Sequence, residues 1–91
     1  MNTPSLNLPV INGHKVIGVI ATSYRRDGAQ AFAIIVDRGD EYYSPYAVAE
    51  WYEGESQWNQ GEYDISTYGA AFQSALDRAT RLNGLVPVEV W

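Results

Sequence analysis

Apolar positions in this chain follow two rhythms. Up to about residue 63 they alternate or run in short blocks, and after residue 67 they fall at helical spacing. Residues 14–25 are rich in β-formers: Val16, Ile17, Val19 and Ile20, continued by Thr22 and Tyr24. Gly18 interrupts that run, which marks either a bulge or a small residue under a packed ring. Asp27-Gly28 then offers the positive φ angles of a tight hairpin turn. In residues 30–36, Phe32, Ile34 and Val36 share one face, and Ala31, Ala33 and Ile35 share the other. Two apolar faces predict a central strand covered on both sides.

A second turn is expected at residues 37–40, and a third strand over 42–53, starting in earnest after Pro45. Its faces carry Tyr46, Val48, Glu50 and Tyr52 on one side and Ala47, Ala49 and Trp51 on the other. Gly54-Glu55-Ser56 turns the chain into a short fourth strand over 57–63, interrupted by Gly61. Tyr68, Ala71, Phe72, Ala75, Leu76, Ala79 and Leu82 then form one stripe of an amphipathic helix. Ser66 or Thr67 can cap its start, and Asn83-Gly84 stops it. Arg78 and Arg81 suit the negative C-terminal end of the helix dipole. Phe72 and Leu76 are expected to be buried against the sheet, with Gln73, Asp77 and Arg81 facing water. Residues 1–13, with Pro4 and Pro9, read as an extended arm, and residues 85–91 as an extended tail or edge strand. Together these elements predict a single α+β domain over 1–91, an antiparallel sheet of about four strands with a C-terminal helix on one face.

Composition narrows the chemistry. With 91 residues the chain makes one domain of modest stability. It has no cysteine, so disulfides, thiolate catalysis and cysteine-based metal sites are excluded. A cysteine-free small domain points to the cytoplasm, and residues 1–12 lack the basic and apolar runs of a signal peptide. No apolar stretch approaches the length of a membrane span. A net charge of −5 argues against direct binding to a phosphate backbone.

Catalytic signals are weak. His14 is the only histidine, and Ser23, Ser44, Ser56, Ser66 and Ser74 lie in no nucleophile motif. Glu50 and Glu53 could form a carboxylate dyad, but strand alternation sends them to opposite faces. Asp37, Asp40 and Glu41 lack the spacing of a calcium loop, so no metal is expected. Neither phosphate-binding glycine motif is present, so no nucleotide cofactor is expected. Arg25 and Arg26 read as solvated hairpin residues.

Charge patterning is more informative. Residues 39–77 contain no Lys or Arg, but hold eight carboxylates and nine of the twelve aromatic rings. A one-signed field beside Tyr and Trp suits a surface that meets a positively charged protein. The candidate contact residues are Glu50, Tyr52, Glu53, Glu55, Trp58 and Glu62. Trp51 and Tyr52 must face opposite sides, so about half the rings are expected in the core.

The strand series followed by the alanine-rich segment YGAAFQSALDRATRL resembles, in element order over residues 16–82, the small sheet-plus-helix domain of HicB-type antitoxins. The Pro-x-Leu-Pro-Gly segment of that family and its DNA-binding extension are missing here. The resemblance implies a basic toxin as partner. The residues themselves lead to a non-enzymatic acidic protein-binding module. Such a module would inhibit a basic nucleic-acid-handling protein, as anti-restriction and anti-CRISPR proteins of phages and mobile elements do. A self-associating structural protein paired as a homodimer through edge strands is the first alternative. A sugar- or small-ligand-binding domain using Trp58 is the second.

Overall fold

In the computed structural model, Asp27 and Gly28 both take positive φ, 53° and 83°, and Arg26 pairs with Ala29 across them. This two-residue turn joins β1 (Lys15–Arg26) to β2 (Ala29–Asp37). The structure describes residues 14–39, 43–84 and 89–90, without the side chains of 59–60 and 89–90. The arm expected at 1–13, most of the tail at 85–91, and Asp40, Glu41 and Tyr42 lie outside the described residues.

After β2 come β3 (Tyr46–Tyr52), β4 (Asn59–Ile65), the helix α1 (Tyr68–Asn83) and a two-residue strand β5 (Glu89–Val90). The sheet order is β4-β3-β2-β1-β5, and every neighbouring pair is antiparallel. The fold is therefore α+β, with the helix packed on one face of the sheet. β2 is central, as its two apolar faces require, and all six residues from Ala31 to Val36 are buried.

Strand alternation divides the core in two. On the helix side, Ile20, Ala33, Ile35 and Val48 pack with Ala71, Ala75 and Ala79. On the far side, Val19, Ala21, Phe32, Ile34, Val36, Ala47, Ala49 and Trp51 form a second cluster. Phe32 and Trp51 are register partners on β2 and β3, with ring centroids 5.4 Å apart.

The helix face differs in depth from the sequence expectation. Phe72 and Leu76 are only partly buried, and Tyr68 is exposed, meeting the Tyr46 ring edge-on. The fully buried line is Ala71, Ala75 and Ala79, one residue per turn. Small side chains on that line let the helix backbone approach the sheet closely, so the larger residues flank the contact. Gly18 sits close beneath the first turn of the helix. A Cβ there would lie 3.0 Å from Ile35 Cδ1 and 3.1 Å from Tyr68 Oη. The β1–β2 register also shifts between Val16 and Gly18, so the glycine marks both a bulge and a close contact.

Local polar groups fix the helix ends. Thr67 is the N-cap, its hydroxyl accepting from Ala70 N at 3.2 Å. At the other end Asn83 is buried, and its Oδ1 accepts from both Ser23 N (2.7 Å) and Ser23 Oγ (2.8 Å). Gly84 follows at φ 68°. A second register shift in β1 falls between Ala21 and Arg25. There Thr22 Oγ1 donates to Ala31 O (2.8 Å) and Gln30 Nε2 donates to Thr22 O (2.8 Å), replacing ladder bonds with side-chain bonds.

Candidate functional site

The β3–β4 connection carries two exposed carboxylates, Glu53 and Glu55, and Trp51 holds it. The Trp51 indole N–H donates to Glu55 O at 2.9 Å, and Glu55 N donates to Tyr52 O at 3.0 Å across Gly54, whose φ is 94°. The ring beneath the sheet thus fixes a tight loop from which Glu53, Glu55, Ser56 and Gln57 are exposed. Trp58 follows, partly buried against the far-side cluster, and its indole N–H donates to Tyr63 Oη at 3.0 Å. Gly61 makes this possible. A Cβ at Gly61 would come 2.8 Å from Tyr63 Cε2, so only glycine leaves room for that ring. The strand is not ended at Gly61: β4 runs through it to Ile65, with a register shift against β3 between Gly61 and Asn59.

Glu62 lies on the opposite side of β4, toward the helix, where its Oε1 accepts from Ser74 Oγ at 2.8 Å. It shares an open groove between β4 and α1 with Asp64, Ser66, Gln73 and Asp77. Asp77 accepts from Gln73 Nε2 at 3.0 Å, one turn back on the helix.

Glu50 and Tyr52 are placed differently from the other candidates. Glu50 Oε1 accepts from Arg78 Nη1 at 3.1 Å, and each side chain is 18% exposed. Tyr52 is 3% exposed, with the Arg26 guanidinium 3.9 Å above its ring. Burial raises the Tyr52 phenol above its ordinary value near 10, the Glu50 carboxylate adds to the rise, and Arg26 opposes it. The six candidates therefore do not form one surface. Glu53 and Glu55 occupy the loop, Trp58 the far side of β4, Glu62 its helix side, and Glu50 and Tyr52 the interior of the helix side.

The two arginines that bound the base-free window in sequence fold back onto it. Arg78 meets Glu50, and Arg38 Nη2 donates to Asp64 Oδ1 at 3.0 Å and to Ser44 O at 2.6 Å. Asp64 has φ 64° at a register shift in the β3–β4 pairing. Tyr63, Asp64 and Arg38 were not among the sequence candidates. Aspartate enters positive φ more readily than most residues, here with its carboxylate held by Arg38, and composition alone does not reveal it.

Among the described residues no three His, Asp or Glu side chains are grouped to hold a metal ion, and no helix is long and apolar enough to cross a membrane. No family model matches the chain, and neither a curated protein nor a solved structure shows significant similarity to it.

Proposed function

We propose that this chain is a non-enzymatic protein-binding module. Its β3–β4 loop and the adjoining β4 strand would meet a basic, nucleic-acid-handling protein that it inhibits, in the manner of anti-restriction or anti-CRISPR proteins. One observation carries the reading. Glu53 and Glu55 are exposed in the loop that leads into the hydrogen-bonded Trp58–Tyr63 pair, and Glu62 is exposed on the helix side of the same strand, in a stretch of sequence without Lys or Arg. Carboxylates at the margin of an aromatic pair suit a partner rich in Arg and Lys, whose guanidinium groups also stack on such rings. With Glu50 held by Arg78 and Tyr52 buried, the contact narrows to Glu53, Glu55, Trp58 and Glu62.

Edge pairing into a homodimer is the weaker reading. β4 is an outer strand, but its pairing with β3 shifts register twice in seven residues, and Asp64 takes a left-handed conformation within it. Such irregularity blunts an edge as a template for another strand. The test is capture of basic proteins from a host extract by the wild-type chain and by a Glu53→Gln, Glu55→Gln, Glu62→Gln variant. A partner held by the wild-type chain and lost by the folded variant is the expected result. Equal capture by both would remove this surface from the proposal.

A further inference from the structure

Tyr63 is 47% exposed, yet its ring is held from several sides. Two residues of β4, Tyr63 and Asp64, stand opposite the single Ala47 of β3, which makes a β-bulge. Asp64 takes φ 64° there, a left-handed conformation that carries strain for a residue with a side chain. Arg38 secures it. Its Nη2 donates to Asp64 Oδ1 at 3.0 Å and to Ser44 O at 2.6 Å, tying the bulge to the β2–β3 connection. Its guanidinium carbon also lies 5.5 Å from the centre of the Tyr63 ring, within cation–π range. On the strand itself, Gly61 leaves the ring the room that a Cβ, 2.8 Å from Cε2, would take. The ring so placed offers its Oη to the Trp58 indole N–H at 3.0 Å.

A ring fixed for packing would be buried. Here the arginine is the buried member, its side chain 13% exposed, while Tyr63 and Asp64 face water. Bulges re-aim side chains, and strained residues gather where a site is held ready. We propose that Arg38 is a positioning residue for the contact surface: it locks the bulge, so that Tyr63 holds the Trp58 ring in the orientation that receives the partner's basic side chains. This role rests on the binding surface proposed above and adds the residue that pre-organises it. Trp58 otherwise packs only against the margin of the far-side cluster. Without the bond to Tyr63 its ring would have to be ordered at the moment of binding, which lowers affinity.

The NMR signal of the Trp58 indole N–H reads the lock in the full chain, without any partner. Tyr63→Phe removes the acceptor and gives the position of an unbonded indole. Arg38→Lys keeps the charge beside Asp64 but loses the planar fork, and Arg38→Ala removes both. Both should move the Trp58 signal toward its Tyr63→Phe position and speed its proton exchange several-fold. The Trp51 indole, bonded to Glu55 O, should stay in place. A folded Arg38→Lys chain with a wild-type Trp58 signal and only a lower melting temperature overturns the proposal, because Arg38 would then serve stability alone. Arg38→Lys decides the matter whether or not Arg38→Ala folds. A hexa-arginine peptide tests the consequence for binding. It should shift the Trp58 signal of the wild type and bind the Arg38→Lys chain several-fold more weakly, at the same net charge. Equal affinity for the two chains overturns the positioning role and leaves the surface standing. A peptide that shifts Trp58 in neither chain removes the surface itself, and the positioning role with it.

Discussion

Gly28 and Gly18 both resist a side chain, for different physical reasons. Gly28 has φ 83° with nothing within 4 Å of a built Cβ, so only backbone strain opposes substitution. Gly28→Val should destabilise the domain by roughly 1–2 kcal/mol in chemical denaturation, and Gly28→Asn by less, because asparagine visits this region more readily. A Gly28→Val midpoint equal to the wild type would count against the turn. Gly18→Ala meets Ile35 and Tyr68 instead, and should cost on the order of 1–3 kcal/mol through overpacking. The first glycine was legible because turn chemistry is local. The second was legible as a bulge or a close contact, but the partners were not, because they lie in β2 and α1, far along the chain. Tyr52 gives a pH test at the same scale. Its folded pKa lies above its unfolded value near 10, so its contribution is complete below that value and lost as pH rises through the folded pKa. The melting temperature of the wild type should therefore fall more steeply above about pH 10 than that of Tyr52→Phe. Parallel curves would show that this phenol stays accessible in the fold.

The helix shows where periodicity stops informing. Spacing gave the stripe and the cap, and Thr67 starts the helix as expected. Which members of the stripe lie deepest depends on the distance between helix and sheet, a tertiary quantity that spacing does not contain. Large residues look like the anchors in sequence, but alanines hold the contact. Ala75→Leu should accordingly cost about 1–3 kcal/mol by forcing the helix off the sheet. Leu76→Ala should cost roughly half of the 2–5 kcal/mol typical of a fully buried leucine. An Ala75→Leu variant as stable as the wild type would place slack under the helix that the burial of Ala71, Ala75 and Ala79 denies. The fourth strand teaches a related lesson. Gly61 suggests an interruption, and the pairing does shift register beside it, but the strand continues, the glycine seats the Tyr63 ring, and a second shift falls at Asp64.

At the scale of the whole molecule, the acidic window was legible as a count and illegible as a field. Its carboxylates could be read from the sequence, but not the return of Arg38 to Asp64 and of Arg78 to Glu50. Those pairs separate two roles within the window. Glu50, largely buried with Arg78, belongs to stability, so Glu50→Gln should lower it by about 1–3 kcal/mol while leaving partner binding unchanged. Glu53, Glu55 and Glu62 are exposed, and their charges should act on encounter. If they face a basic partner, association slows as salt rises, because the Debye length shrinks from about 10 Å at 0.1 M to about 3 Å at 1 M. Removing the three charges should slow association more than it speeds release, since rim charges steer approach. Truncation of Trp58 should speed release instead, because a central aromatic anchor can be worth about 2 kcal/mol or more. Binding kinetics across a salt series, with a melting curve for each variant, separate these effects. A Glu50→Gln variant that binds more slowly at native stability would return that residue to the contact surface. Association that ignores salt would deny the carboxylates their steering role and shift the contact to Trp58 and Tyr63.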